Sequence, residues 1–145
     1  MHPDYFISTN QAELDISLIH SVLTKSYWAK GIPRATVEQS IDNSLCFAVY
    51  NYQKQQVGFA RVISDYSTFA YLADIFVLEE HQGKGLAKAL MHRIMAHPRL
   101  QGIRRFKLAT QDAHGLYQQF GFTELAHPEI HMERWQPNFY LLPQS

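Results

Sequence analysis

The sequence predicts a mixed α/β layer structure in a single domain over residues 1–145. A length of 145 residues fits one domain. Hydrophobic residues make up 46% of the chain and charged residues 18%, which is typical of a globular protein and excludes a disordered one. The predicted order is strand, two helices, three strands, helix, strand, helix, strand. This order is not the regular alternation of a doubly wound fold.

The N-terminal part predicts a short strand followed by a helix. Tyr5–Ile7 is the strand candidate. Asn10 can cap a helix, and Glu13 follows it three residues later, as in a capping box. The residues beyond it place apolar side chains on one face at helical spacing: Leu14, Leu18, Ile19, Val22 and Leu23.

An exposed loop and a second helix come next. Residues 27–32 break the apolar pattern, which predicts a loop that carries Tyr27 and Trp28 at the surface. Pro33 suits the first turn of a helix, and the helical pattern continues to about Asn43.

Three strand-like runs follow, at Leu45–Tyr50, Val57–Ser64 and Tyr71–Leu78. The polar residues 51–56 predict an antiparallel hairpin between the first two runs. The single cysteine, Cys46, lies in the first run, so we expect a buried strand residue and no internal disulfide.

The second half predicts helix, strand, helix and strand. An amphipathic helix begins after Gly85 and is stopped by Pro98. Phe106–Ala109 is a short strand candidate, and Asp112 can cap the helix after it. Gly121 is placed to end that helix in a left-handed turn. The last strand is predicted at Ile130–Trp135.

The glycine-rich segment Gln82–Ala87 stands between a strand and a helix, where free N–H groups and the helix dipole favour a phosphate. A Walker loop requires Ser or Thr after Gly-Lys, but Gly85 follows Lys84. A dinucleotide fingerprint requires Gly or Ala where Lys88 stands. The segment does match the pattern Gln/Arg-x-x-Gly-x-Gly/Ala, with Gln82, Gly85 and Ala87.

With this pattern the sequence resembles the GNAT superfamily of acetyl-CoA-dependent N-acetyltransferases. A second signature, Leu116-Tyr117-x-x-x-Gly121-Phe122, resembles the end of a helix in that family, and the resemblance covers essentially the whole chain. It implies a mostly antiparallel sheet flanked by helices on both faces. It also implies transfer of an acetyl group from acetyl-CoA to a primary amine, without a metal.

The resemblance also implies site residues. Backbone N–H groups of the glycine-rich segment would bind the CoA pyrophosphate, and two lysines would add charge: Gln82, Gly83, Lys84, Gly85, Leu86, Ala87 and Lys88. The strand Phe76-Val77-Leu78 would pair with the pantetheine arm, and an N–H near Val77 or Leu78 would polarise the thioester carbonyl. Tyr117 aligns with the family tyrosine that protonates the leaving thiolate. Asp112 stands where many members have Asn, so it either contacts the cofactor or only caps the helix.

Two further groups are candidates on the acceptor side. Asp74 lies in an apolar strand context, where burial would raise its pKa toward that of a general base; a structural hydrogen bond to a neighbouring loop is the alternative. Tyr27 and Trp28 would cover the apolar part of an acceptor or attract a cationic group on it. Alternatively, Lys30 or Arg34 would hold an acceptor carboxylate. Trp28 packing as a structural lid is the competing interpretation.

Composition restricts the partners. Lys plus Arg and Asp plus Glu each number 13, so the formal net charge is zero and a nucleic-acid-binding surface is not expected. We expect no metal, because His127 and His131 are separated by Pro128 and have no evident third ligand. No membrane span or basic leader is recognised, so we expect a soluble cytoplasmic protein, monomeric or homodimeric, that acts on a small-molecule amine. The alternative function is a non-catalytic CoA-binding sensor or interaction module.

Overall fold

The structure is a computed structural model, and it describes residues 1–143. Four helices and five strands make up the regular structure of this part of the chain. In chain order they are β1 (Tyr5–Ser8), α1 (Ile16–Thr24), α2 (Arg34–Asp42), β2 (Leu45–Asn51), β3 (Gln56–Ser64), β4 (Phe69–Val77), α3 (Leu86–Ala96), β5 (Arg105–Leu108) and α4 (His114–Gln118). Short 3₁₀ turns lie between several of them.

The strands form one sheet in the order β1-β2-β3-β4-β5. The sheet is mostly antiparallel, as the resemblance implied. The first four strands pair antiparallel, and β5 pairs with β4 in parallel. The predicted hairpin between β2 and β3 is confirmed, with Val49 opposite Gly58. Because a parallel partner requires a crossover, the chain passes through α3 before it returns as β5.

Helices cover both faces of the sheet, which confirms the predicted layers. Alternate side chains of β2 point to opposite faces: Phe47 packs in the core beneath α3, whereas Cys46 packs against α1 and α2. The predicted apolar side of α3 is confirmed, because Leu90 and Met91 are fully buried. Burial of these side chains on both faces provides the main hydrophobic stabilisation of the sheet.

Strands β4 and β5 pair over only part of β4, which separates the two strands beyond Leu72 and Leu108. On the other side of β4, Phe59 and Arg61 of β3 oppose Phe76 and Ala73, so β4 carries one extra residue. This is a β-bulge, and it includes Asp74 with a φ of +55°. The bulge changes the direction of the second half of β4, and a cavity lies at this point.

Two predicted helix starts were wrong. Asn10 accepts a hydrogen bond from the N–H of Ala12, but it caps only a short 3₁₀ turn. Helix α1 begins later, because the Asp15 carboxylate accepts the N–H of Leu18 at 3.0 Å. In α4 the capping position is Ala113, and no side chain caps this helix. The N–H of Ala113 is instead bound by the hydroxyl of Thr110, so the predicted cap at Asp112 is not formed.

The predicted strand at Ile130–Trp135 was also wrong. Pro128–Ile130 form a 3₁₀ turn, and the chain continues without strand pairing. Ile130, Met132 and Trp135 are 66%, 97% and 72% exposed. An apolar alternation indicates a strand only when one of its faces is buried, and no layer of the described fold covers this segment.

Helix α4 ends as predicted. Gly121 has a φ of +87°, the N–H of Gly121 donates to the Gln118 carbonyl, and that of Phe122 donates to the Tyr117 carbonyl. These two bonds form a Schellman motif. Within residues 1–143, no helix has the length and apolar character that crossing a membrane requires.

Candidate active site

A cavity of about 530 Å³ lies where β4 and β5 separate. Its walls come from the β4 bulge, the residues after β5, the first turn of α4 and the loop between α1 and α2. The lining residues include Tyr27, Trp28, Tyr71, Asp74, Ile75, Asp112 and Tyr117. The cavity therefore combines residues that the sequence analysis selected separately, for the cofactor and for the acceptor.

Tyr117 lies at the junction of this cavity with a second one along β5. The residue is only 5% exposed, and its ring packs edge-on against Phe122 at the end of α4. Burial raises the pKa of the Tyr117 hydroxyl, and the neighbouring Tyr27 and Asp112 add to this effect. The hydroxyl therefore stays protonated at neutral pH, as a proton donor must.

Asp74 is held by two neighbours. Its Oδ2 accepts from Arg61 Nε at 2.9 Å, in an ion pair whose side chains are 15% and 9% exposed. Its Oδ1 accepts from the indole Nε1–H of Trp28 at 2.8 Å. Arg61 is anchored in turn by the Ser44 hydroxyl at 3.1 Å. The structure thus contains the loop hydrogen bond that was the alternative to a base, and the role of Asp74 in proton removal stays a prediction.

Hydrogen bonding between β4 and β3 determines which backbone N–H groups of β4 point away from β3, toward the cavity side. The N–H of Leu78 donates to the Val57 carbonyl at 2.8 Å, so it points toward β3. Since successive N–H groups of a strand point to opposite edges, that of Val77 points away from β3, toward the edge that β5 has left. Ile75, two residues earlier and within the bulged part of β4, lines the cavity.

The glycine-rich segment forms an open backbone cradle at the start of α3. Gly83 and Gly85 have φ values of +79° and +73°, which L-residues rarely adopt. A Cβ placed on either glycine would meet no atom within 4 Å. Within the described chain, the backbone N–H groups of residues 83–88 have no hydrogen-bond acceptor, and no side chain caps α3. This set of free donors at a helix N-terminus suits a phosphate group.

Side chains around the cradle supply positive charge and local order. Gln82 donates from its Nε2 to the Val77 carbonyl at 3.0 Å, which ties the cradle to the end of β4. The ammonium of Lys84 lies 5.8 Å from the centre of the Tyr5 ring. Lys88 is exposed on the first turn of α3. No acidic residue occupies the first turn of α3, whereas Glu79 and Glu80 lie in the 3₁₀ turn before the cradle.

The other predicted residues are distributed differently. Tyr27 and Trp28 pack edge-on at 5.0 Å and both line the cavity, as does the exposed Asp112. Arg34 does not line it: its guanidinium donates to Glu38 and to the hydroxyl of Ser17.

Ile75 and Tyr71 line the cavity but were missed by sequence reasoning. Their side chains carry no motif, and the only signal was their place on the strand before the glycine-rich segment.

Cys46 does not line the cavity; it packs against α1 and α2. Burial raises the pKa of the Cys46 thiol to about 12, and its neighbours Asp74 and Asp42 add to this, while Arg61 opposes it. The thiolate that a nucleophile requires is therefore absent at neutral pH. Over residues 1–143, no group of three or more His, Cys, Asp or Glu side chains is arranged to hold a metal ion.

Comparison with known proteins identifies the class. The acetyltransferase (GNAT) domain family matches residues 42–124, which is more than half of the chain and includes β4, the cradle and α4. The chain belongs to the GNAT family, and it is an acyltransferase. The resemblance on which the sequence analysis relied is thereby confirmed.

Individual proteins that are similar to this chain agree with its assignment to the GNAT family. A protein of Gibberella zeae assigned as an acetyltransferase is 30% identical over 79% of this chain and 76% of its own length. A crystal structure from Xanthomonas campestris pv. campestris, assigned as a GNAT-family acetyltransferase, is 56% identical and has a TM-score of 0.93, covering 95% of this chain and 97% of that one. Glucosamine-6-phosphate N-acetyltransferase from Arabidopsis thaliana, at 14% identity, has a TM-score of 0.62 over 90% of this chain and 97% of that one. This last likeness concerns the fold alone.

Proposed function

We propose that this acetyltransferase moves an acetyl group from acetyl-CoA directly to the primary amine of a small molecule. One observation carries the proposal: a cradle of free N–H groups and a cavity with a buried tyrosine lie along the same strand, β4. The cradle is suited to a pyrophosphate, and the cavity is suited to the reacting groups. The strand between them has unpaired N–H groups on the side where β5 has separated.

The residues of the cradle fit the phosphate end of CoA. Six consecutive N–H groups point from an uncapped helix start, and glycines at 83 and 85 let a ligand approach the backbone. Lys84 and Lys88 add charge. The pantetheine arm would pair with the outward N–H groups of β4, of which Val77 is the one nearest the cradle.

Bound acetyl-CoA supplies a thioester. The outward N–H of Val77 would bind the carbonyl oxygen as negative charge develops there. The amine nitrogen forms a bond to the carbonyl carbon, and the carbon–sulfur bond breaks. Tyr117 donates its hydroxyl proton to the departing sulfur, which its raised pKa allows. The proton that the attacking nitrogen loses as it becomes an amide returns the hydroxyl of Tyr117 to its protonated form.

The attacking amine must be neutral, so its proton must be removed. Asp74 borders the cavity and is the predicted base, acting directly or through water. Its bonds to Arg61 and Trp28 support a second role, that of holding the indole of Trp28 at the cavity wall. The two roles predict different pH profiles of kcat/KM for the variant Asp74→Asn.

A thiol-release assay tests the proposed function. Acetyl-CoA is supplied with a panel of polyamines, amino acids, aminoglycosides and lysine-containing peptides, and acetyl-CoA binding is measured separately by calorimetry. We expect micromolar to millimolar acetyl-CoA binding and amine-dependent release of CoA thiol for at least one class of small amine. Failure of acetyl-CoA to bind would reject the cofactor, and turnover only with basic polymers would reject the small acceptor.

A further inference from the structure

A row of basic side chains, Lys107, Arg105 and His131, lines a cavity of about 350 Å³ beside β5, and Lys107 also lines the second cavity, which Tyr117 borders. In the parallel pairing of β4 with β5, Lys107 lies opposite Tyr71 and Arg105 lies opposite Phe69. Phe106 and Leu108, which alternate with them, pack in the core beneath α3. Lys107 and Arg105 therefore point to the other face, which carries α1, α2 and the loop with Trp28.

His131 completes this row. The C-terminal segment, where a strand was predicted, instead brings the imidazole of His131 over β5. Lys107 Nζ lies 2.7 Å from His131 Nδ1, and Arg105 Nη1 lies 3.4 Å from His131 Nε2. Since Lys107 can only donate, Nδ1 must accept, and a neutral imidazole then carries its proton on Nε2. Nε2–H and the Arg105 guanidinium are thus two donors that face each other without an acceptor.

The charges support the neutral imidazole. Desolvation, followed by the charges of Lys107 and Arg105, holds the pKa of His131 below its usual value, while Glu129 acts in the opposite direction. The Glu129 carboxylate lies 3.5 Å from His127 Nδ1. Within residues 1–143, no carboxylate lies within 4.0 Å of a charged nitrogen of Lys107 or Arg105. An anion from outside the chain would supply the missing acceptor.

The row is separate from the cofactor cradle. Lys107 lies opposite Tyr71, and the cradle follows Val77, six residues later; at about 3.3 Å per residue the two lie about 20 Å apart along β4. The cradle is also at the start of α3, on the opposite face of the sheet. In contrast, Tyr71 itself lines the cavity, and the backbone of Ile75 lies about 13 Å away along the strand.

From this arrangement we infer that the acceptor amine also carries an anionic group, a carboxylate or a phosphate, which Lys107, Arg105 and His131 bind while the amine reaches Tyr117 and Ile75. The inference rests on the proposed function, because it assumes that the cavity holds an amine. The aromatic rings of Tyr27, Trp28 and Tyr71 would contact the apolar part between the two ends. A diamine would bring a second positive charge to the row and would be disfavoured.

A matched series of four amines tests this inference: hexylamine, 6-aminohexanoate, 6-aminohexyl phosphate and hexane-1,6-diamine. The probes share one amine and one chain and differ only at the far end. With saturating acetyl-CoA, we expect kcat/KM for at least one anionic probe to exceed that for hexylamine by about tenfold or more, as for a hydrogen bond to a charged group. The diamine should be the poorest substrate. Comparison of carboxylate with phosphate shows which anion is preferred.

Two variants test whether a preference for the anionic probes arises from the row of basic side chains. Lys107→Met keeps the length of the side chain and removes the charge, and it should bring the ratio of anionic probe to hexylamine close to one. Lys25→Met is the control, because Lys25 is exposed at the end of α1 and lies in neither cavity. It should keep the ratio of the wild type. A ratio that survives in Lys107→Met would overturn the assignment to this row.

The outcomes separate the inference from the proposed function. If acetyl-CoA does not bind in calorimetry, the proposed function fails. If the four probes are acetylated equally, or the diamine is preferred, the function stands and the anionic acceptor is rejected. If none is acetylated, calorimetry of each probe with the CoA-loaded protein decides: tighter binding of an anionic probe than of hexylamine, lost in Lys107→Met, supports the inference, and equal or absent binding overturns it.

Discussion

The cofactor cradle and the acceptor cavity are built in opposite ways. The cradle is one continuous stretch of chain, Gln82–Lys88, and its donors are backbone N–H groups at a helix start. The cavity is assembled from distant parts of the sequence: Trp28 and Asp74, which are 46 residues apart, share a hydrogen bond there, and Tyr117 comes from a third region. The first depends on local backbone conformation, and the second depends on tertiary packing.

This difference teaches where each kind of change should act. A substitution in the cradle alters recognition of a group that every acetyl-CoA molecule carries, so it should affect all acceptors equally. A substitution in the cavity should change the chemistry or the choice of acceptor and leave cofactor binding intact. Each prediction below tests this division between the two regions.

The largest effect is expected at Tyr117. Tyr117→Phe keeps the ring and its packing but removes the proton donor, so kcat should fall by about 10²–10⁴-fold, with little change in acetyl-CoA affinity. Because burial raises the pKa of Tyr117 above its ordinary value of about 10, the wild-type rate should not decline from loss of this proton below about pH 10. Kinetics under conditions where chemistry limits the rate check both points, and full turnover of the variant would demote Tyr117 to packing.

The next effect is expected in the cradle. Gly85→Val introduces a branched side chain between the free N–H groups, and acetyl-CoA affinity measured by calorimetry should fall by about tenfold to a hundredfold. The control is Gly102→Val, since Gly102 has the same φ of +73° and also has no atom within 4 Å of an added Cβ. Both variants carry similar backbone strain, but only Gly85 lies in the cradle. Equal affinities in the two variants would reject the cradle as the cofactor site.

A smaller effect is expected at Trp28, on the acceptor side. Trp28→Ala removes an aromatic wall, and KM for the acceptor should rise by about threefold to thirtyfold, while acetyl-CoA affinity stays unchanged. Trp28→Phe keeps an aromatic ring but loses the N–H that donates to Asp74, so it should lie between the wild type and Trp28→Ala. A uniform loss for all acceptors with a lower melting temperature would show that the loop is a structural lid.

The last prediction concerns Asp74, where the expected change is in the shape of the pH profile, and the result is the most diagnostic for mechanism. If Asp74 removes the proton of the amine, Asp74→Asn should flatten the acidic limb of the pH profile of kcat/KM. The variant keeps the shape of the side chain, and Trp28 can still donate to its remaining oxygen. A limb that persists, together with a raised KM for the acceptor, would contradict the base and assign Asp74 to positioning Trp28.

The sequence by itself determined the fold class, most strand and helix positions and the cradle, while the candidate proton donor Tyr117 was implied by the resemblance to the family. These features are local: Gly85 requires a left-handed backbone just before a helix, and Gly121 ends α4 in the predicted way, so the residue types report the geometry directly. The continuous apolar run of β2 likewise indicated a buried strand. Such signals need no knowledge of distant contacts.

Only the tertiary structure decided how the acceptor side is arranged. The bulge that contains Asp74 follows from its register with β3, and the choice of Val77 over Leu78 as an outward donor follows from the bond of Leu78 to Val57. The apolar alternation at Ile130–Trp135 predicted a strand, yet the segment stays unpaired and places His131 beside Lys107. Pairing register and contacts between distant segments depend on which surfaces meet in the folded chain, and a linear pattern does not contain that information.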